Sequence, residues 1–152
     1  ERLDDFEFQL RNIKRFVEKQ RLPGLPSDYL EFFFVASDRV EELANELNKI
    51  RINIDEIQQL VKYSAEDIDR LKQKTDELID SAALAEQMMQ YANRYRHTNA
   101  QIKEAINKSL MLFTDEYRYK ESLDEIGTTL NEVEPGAFSR IENFYYNNRG
   151  LA

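Results

Sequence analysis

The sequence contains no cysteine and no tryptophan, only four glycines and three prolines, and a single histidine, His97. Without cysteine the chain forms no disulfide, which is compatible with a reducing cytosol. The single histidine gives an imidazole metal cluster or a histidine-relayed nucleophile at most one member. Because glycine and proline are the strongest helix breakers, their scarcity indicates a helical protein.

Long hydrophobic runs are also missing, since no apolar stretch approaches the roughly 20 residues that cross a bilayer. The chain carries 21 basic and 29 acidic residues, so its formal charge is −8 with histidine neutral. This charge disfavours a general attraction to nucleic acid or anionic lipid, both of which require cationic protein surface. A membrane-sensing helical bundle, one rival interpretation, needs a cationic face and is disfavoured for the same reason.

Catalytic motifs are missing as well. There is no glycine-rich phosphate loop, no EF-hand loop and no nucleophile elbow. The helical di-iron signature requires Glu-x-x-His, and Arg94 occupies the position three residues before His97. An enzyme would therefore need a cofactor or domain that these residues do not indicate. We predict no cofactor, no metal and a non-enzymatic function.

An apolar stripe at alternating steps of four and three residues is the strongest pattern in the chain. A repeat averaging about 3.5 residues places its members on one seam of a supercoiled helix. At about 1.5 Å per residue, an unbroken helix over this stripe would reach roughly 95 Å, so we expect an elongated all-α molecule with one long helix. The stripe consists of Tyr29, Phe33, Ala36, Val40, Leu43, Leu47, Ile50, Ile54, Ile57, Val61, Ser64, Ile68, Leu71, Thr75, Leu78, Ala82, Ala85, Met89 and Ala92.

Proline and glycine divide the first part of the chain. We predict a rod over residues 1–96, made of a helix over 3–20, a loop over 21–27 and a long helix over 28–96. The loop holds two prolines that flank a glycine, which a helix cannot accommodate. Ser64 with Asp67 resembles a capping box, so two helices meeting at Ser64 are an alternative, although the unbroken stripe favours continuity.

The pattern restarts after Asn99 and predicts a C-terminal helical hairpin with a short last helix, together residues 97–147. The turn is placed near residues 114–117, and Gly127 inside the second helix suggests close packing. Glu134-Pro-Gly closes the hairpin, and residues 148–152 are expected to be a frayed tail. The inward positions are Ile102, Ile106, Leu110, Phe113, Tyr119, Leu123, Ile126 and Leu130.

The segment from Gln90 to His97 departs from the surrounding composition. It contains no acidic residue and combines Arg94, Arg96 and His97 with two tyrosines. Arginine and tyrosine are enriched at protein-binding hot spots, so the segment is a candidate binding surface. The alternative is structural, because cations complement the dipole at a helix C-terminus and tyrosines often flank a thin core.

Four segments resemble the C-terminal part of the EzrA family, the septation ring formation regulators of low-GC Gram-positive bacteria. The resemblance covers essentially the whole chain. The segments are Leu30-Glu-Phe-Phe-Phe34, Leu84-Ala-Glu-Gln87, Gln90-Tyr-Ala-Asn-Arg-Tyr-Arg96 and Leu130-Asn-Glu-Val-Glu-Pro-Gly-Ala137.

The resemblance implies a spectrin-like antiparallel helical bundle that acts on FtsZ, the tubulin-like division polymer, and restrains aberrant Z-ring assembly. It also implies a position on the cytoplasmic face of the cell membrane at the division septum. Attachment would come from an N-terminal transmembrane helix outside this sequence, which begins at Glu1 and is expected to be a fragment. The family's binding patch maps onto Gln90, Tyr91, Ala92, Asn93, Arg94, Tyr95 and Arg96.

Other division or cell-wall synthesis proteins are further candidate partners. The alternative function is a spectrin-like spacer that binds such proteins without contacting FtsZ.

Overall fold

The computed structural model describes residues 2–149 and confirms the all-α prediction. Within that range the chain has a long central helix, a C-terminal hairpin and no strand. The elements are α1 (Arg2–Lys19), α2 (Ser27–Leu47), α3 (Ile54–Ala92), a 3-10 helix (Asn93–Tyr95), α4 (Ala100–Thr114), α5 (Tyr119–Val133) and α6 (Ala137–Asn148).

The predicted continuous helix over residues 28–96 is wrong, because helix α2 ends at Leu47 and α3 begins at Ile54. Asn53 caps the new helix: its side-chain Oδ1 accepts a hydrogen bond from the Glu56 N–H at 3.1 Å. Leu47 and Ile54 are seven residues apart, so the connection uses one full heptad and the stripe continues in phase across it. No break occurs at Ser64, and α3 runs through that position.

The first compact unit comprises residues up to Glu77, namely α1, α2 and the first part of α3. Helices α2 and α3 are antiparallel. The Tyr29 hydroxyl, near the start of α2, lies 2.7 Å from the Thr75 hydroxyl, whereas Arg39 Nε, further along α2, lies 3.2 Å from Oδ2 of Asp67, which comes earlier in α3. The buried face of α1 consists of Phe6, Leu10, Ile13 and Val17.

The predicted stripe is buried along most of its length but not at the α2–α3 connection. Leu47, Ile50 and Ile54 are exposed, with Ile50 fully accessible. The two polar members lie in the core: the Thr75 hydroxyl is hydrogen-bonded to the Tyr29 hydroxyl at 2.7 Å, and Ser64 is buried. Periodicity therefore identified the packing face but not the point where that face turns away from its partners.

The second compact unit begins at Leu78 and comprises the remainder of α3 with α4, α5 and α6. The predicted domain boundary after residue 96 is therefore misplaced, because residues 78–96 pack with the C-terminal helices. Helical periodicity shows that a face is buried, but it does not show which helices bury it.

Helices α4 and α5 form the predicted hairpin, and two small residues lie in the contact between them. Ser109 and Ser122 are fully buried, and the Ser122 hydroxyl donates to the Ser109 carbonyl at 2.8 Å. Leu110, predicted to point inward, is instead 48% exposed. Ser109, and not Leu110, occupies the contact with α5, and its smaller side chain allows the two helices to approach more closely than a leucine would.

The predicted frayed tail begins too early. Asn148 is the last residue of α6, and the Arg149 guanidinium lies 2.5 Å from a carboxylate oxygen of Asp80. The remaining tail residues, 150–152, lie outside the described part of the chain.

Candidate protein-binding site

The predicted binding residues lie at the corner where α3 ends. We call Gln90, Tyr91, Asn93, Arg94, Tyr95 and Arg96 the Tyr/Arg patch. Its four non-aromatic residues are exposed and its two tyrosines are partly buried, while Ala92 points into the core. The patch thus occupies the surface, but its tyrosines also contribute to packing.

Local hydrogen bonds form the connection between α3 and α4 at this corner. After Ala92 the α-helix tightens into the 3-10 helix, and the Arg96 N–H donates to the Asn93 carbonyl at 3.1 Å. Asn99 then caps α4, with its side-chain oxygen accepting from the Ile102 N–H at 3.0 Å. The chain therefore changes direction directly after the patch.

Glu134, at the C-terminal end of α5, organises the two tyrosines. Its carboxylate accepts hydrogen bonds from the hydroxyls of Tyr91, at 2.5 Å, and Tyr95. The Arg140 guanidinium of α6 pairs with the same carboxylate. One side chain thereby connects the end of α3, the end of α5 and the start of α6.

These contacts also shift the pKa values of Glu134 and Tyr95. The hydroxyls of Tyr91 and Tyr95 stabilise the ionised carboxylate and lower the pKa of Glu134 below its ordinary value of 4.5. The same hydrogen bond raises the pKa of Tyr95, because the neutral phenol is the form that donates. Near neutral pH, Glu134 is therefore ionised and Tyr95 is a neutral donor.

The arginines of the Tyr/Arg patch remain available to a partner. The Arg94 guanidinium lies 3.7 Å from the centre of the Tyr91 ring, a cation–π arrangement. Neither Arg94 nor Arg96 forms an ion pair with any residue between 2 and 149. The corner therefore presents two positive charges, and one of them, Arg94, lies over an aromatic ring.

An open groove of about 430 Å³ lies beside the patch, between the end of α3 and helix α6. Its apolar lining comes from Ile141, Phe144 and the Tyr91 ring, and Phe144 is 66% exposed. No lining residue is acidic; the full lining is Gln87, Gln90, Tyr91, Arg140, Ile141 and Phe144.

Two further contacts hold α6 in place. Near its C-terminal end, the Tyr145 hydroxyl donates to Asp80 at 2.7 Å; burial and this bond raise the pKa of Tyr145. Near its start, the Phe138 ring lies against Gly127 of α5. The groove wall formed by α6 is therefore anchored at both ends.

The structure brings the predicted patch residues together at one corner, and it adds residues that sequence reasoning missed. Glu134 was interpreted only as part of the hairpin closure, and Arg140 and Phe144 were not considered as site residues. Glu134 follows α5 and precedes Pro135-Gly136, so its side chain lies at a chain reversal. Such positions are candidates for long-range contacts, but the sequence does not identify the partners.

The chemistry of this site is that of recognition. No group of histidine, cysteine or carboxylate side chains suited to a metal ion occurs in the described part of the chain. The groups on display are guanidinium ions, aromatic rings and amides, which suit carboxylate and apolar ligands.

Comparison with known proteins assigns the chain to a family. The family model "Septation ring formation regulator, EzrA" matches residues 1–145. A protein of that name from Enterococcus faecalis is 60% identical over 97% of this chain, which corresponds to 26% of its own length. A relative from Lactococcus lactis subsp. cremoris is 52% identical over 95% of the chain and 25% of its own length. One from Lactiplantibacillus plantarum is 44% identical over 98% of the chain and 26% of its own length.

No solved structure matches the chain. The chain spans about a quarter of the length of the curated relatives it matches. None of the helices between residues 2 and 149 combines the length and apolar character that crossing a bilayer requires. Because the family model covers nearly the whole chain and the identities are high, this protein belongs to the EzrA family of septation ring formation regulators.

Proposed function

We propose that the chain is part of a non-enzymatic regulator of cell division that binds FtsZ through the Tyr/Arg patch and restrains aberrant Z-ring assembly. Its place of action is the division septum, at the cytoplasmic face of the membrane. The names of the relatives support a role in septation ring formation. The contact with FtsZ is inferred from the family resemblance.

One observation carries the choice of surface: Arg94 and Arg96 are exposed without an ion pair among residues 2–149, beside the partly buried tyrosines. In an acidic protein, an isolated basic corner is suited to selective recognition of carboxylates, while the negative charge elsewhere discourages non-specific binding. The tyrosine hydroxyls bond to Glu134 and fix the rings, so less rotamer freedom remains to be lost on binding.

Substitution of the arginines tests the proposal with little disturbance to the fold. Arg94→Ala and Arg96→Ala remove exposed side chains, so the free energy of unfolding should change by less than about 1 kcal/mol. FtsZ cosedimentation should weaken by about fivefold or more for at least one of them, as expected when a hot-spot side chain is removed. Arg11→Ala, an exposed arginine on α1, is the matched control and should bind like the parent.

Thermal melting on the same preparations separates binding from folding. If both arginine variants melt normally and cosediment with FtsZ like the parent, the patch is not the FtsZ site and its tyrosines are structural. If the parent itself does not bind FtsZ, the function as a spacer for other division or cell-wall synthesis proteins replaces the proposal.

A further inference from the structure

We infer that the groove between α3 and α6 receives one apolar side chain from an acidic segment of the protein partner, whose carboxylates contact Arg94 and Arg96. This inference rests on the proposed function and specifies the chemistry of the segment that the site recognises. The groove and the Tyr/Arg patch share Gln90 and Tyr91, so one short segment can contact both.

The groove has the surface composition of an anchor pocket. Ile141 and Phe144 of α6 are apolar, and the Phe144 ring is 66% exposed although it stands beside a concave surface. Gln87 and Gln90 on the α3 side provide uncharged donors and acceptors. An apolar wall with a few polar groups at its edge is the usual arrangement for one anchoring side chain.

The charges around the groove favour a partner segment that carries negative charge. Glu134 is the carboxylate that contacts Tyr91, and it already accepts from two phenols and pairs with Arg140. Along α6, Glu142 is two residues from both Arg140 and Phe144 and therefore lies on a different face of the helix. Among residues 2–149, the two patch arginines form no ion pair, which makes this corner complementary to carboxylates.

The same charges give the bound segment a direction. Glu86 is exposed and lies on α3 one helical turn before Gln90, in the direction along the helix that leads away from Arg94. No acidic residue occurs between Glu86 and Glu104. A segment with its apolar side chain in the groove therefore places its carboxylates toward Arg94 and its uncharged end toward Glu86.

A peptide of defined chemistry tests the inference on the full chain. The probe is a short fluorescein-labelled peptide in which one leucine is followed by aspartates, and binding is followed by fluorescence anisotropy. A peptide with serine in place of leucine and one with lysines in place of the aspartates are the ligand controls. We expect the parent to bind the first peptide at least about fivefold more tightly than either control.

The protein variants are Phe144→Ala, which removes the apolar wall, and Gln90→Glu, which adds a repelling carboxylate of nearly the same shape. Each should weaken binding of the leucine–aspartate peptide by about fivefold or more. Phe8→Ala, at a phenylalanine that is 54% exposed on α1, and Gln73→Glu, at an exposed position of α3, are the matched controls and should bind like the parent. If Phe144→Ala loses its fold, Gln90→Glu still decides the question.

Cosedimentation of the same variants with FtsZ distinguishes the two proposals. Loss of FtsZ binding in Phe144→Ala and Gln90→Glu, but not in their controls, supports both. If FtsZ binding depends on Arg94 but not on Phe144 or Gln90, the proposed function stands and the groove inference is overturned. If the parent binds the peptide but not FtsZ, the groove inference stands for another acidic partner and the proposed function falls. A parent that binds the peptide no better than its controls overturns the inference.

Discussion

At the scale of single residues, Glu134 has the largest influence on the candidate site. It accepts hydrogen bonds from two phenol hydroxyls that are distant in sequence and pairs with the guanidinium of Arg140, six residues further along the chain. These donors favour the ionised carboxylate in the folded state, which is why the pKa of Glu134 is lowered. Linkage then gives this residue a pH-dependent contribution to stability.

Glu134→Gln should destabilise the protein at neutral pH, and the difference from the parent should shrink in acid. A lowered folded-state pKa gives stability that is present above the unfolded value of 4.5 and is lost as the pH falls through the folded-state value. Urea denaturation of both proteins, from neutral pH to well below 4.5, measures the difference in the free energy of unfolding.

Glu132→Gln, at an exposed position of the same helix, is the control and should change the free energy of unfolding only slightly. A Glu134→Gln difference that stays constant into acid would show that shape, and not the ionised carboxylate, is what Glu134 contributes.

Residue types drew attention to the Tyr/Arg patch, because an acid-free run with two arginines and two tyrosines stands out in an acidic chain. Only the family resemblance favoured a binding role over a structural one. The contacts of Glu134 and the exposure of Phe144 were not predictable in the same way. Both depend on how α5 and α6 lie against the end of α3. Periodicity within one helix carries no information about that placement.

At the scale of helices, the connection between α2 and α3 shows the limit of pattern reading. A heptad stripe records only whether apolar residues recur in phase, and a connection that uses one heptad preserves the phase. The signal that could have found the break was Asn53 followed three residues later by Glu56, the spacing of a helix N-cap and its third residue. Ser64 and Asp67 have the same spacing, yet α3 continues through both residues without a break.

Gly127 determines how closely α6 can lie against α5. A Cβ at Gly127 would lie 2.5 Å from Cδ2 of the Phe138 ring and 3.4 Å from the Met88 sulfur. A separation of 2.5 Å from a ring carbon is much less than van der Waals contact, so the ring must move. The sequence prediction of close packing at this glycine is therefore confirmed.

Gly127→Ala should destabilise the protein by about 1 to 3 kcal/mol, the usual range for overpacking. Helix propensity alone predicts the opposite sign, since alanine is favoured over glycine by roughly 1 kcal/mol in a helix interior. Chemical denaturation gives the sign directly.

The double variant Gly127→Ala with Phe138→Ala identifies the cause of that change. If the Phe138 ring is the obstacle, Gly127→Ala should lower the free energy of unfolding much less in the Phe138→Ala background than in the parent. A stabilising effect of Gly127→Ala in the parent background would mean that α6 does not pack as described.

At the scale of the whole molecule, the formal charge of −8 and the basic corner act in opposite directions. In the proposed function, net charge governs the long-range approach of a partner, whereas Arg94 and Arg96 act at contact distance. Exposed charges are screened beyond about 10 Å at 0.1 M salt. Salt concentration therefore separates the charged part of binding from the apolar part that we assign to the groove.

We expect FtsZ binding by the full chain to weaken several-fold between about 0.05 M and 0.3 M salt, because the Debye length falls over this range and exposed ion pairs are screened. Arg94→Gln should bind more weakly at low salt and show a flatter salt dependence, since one contact sensitive to screening is gone. Phe144→Ala should lose affinity by a similar factor at every salt concentration, because apolar burial is not screened. Arg11→Gln, the charge control, should follow the parent. Cosedimentation across a salt series measures all four slopes, and parallel slopes for the parent and Arg94→Gln would remove Arg94 from the charged contact.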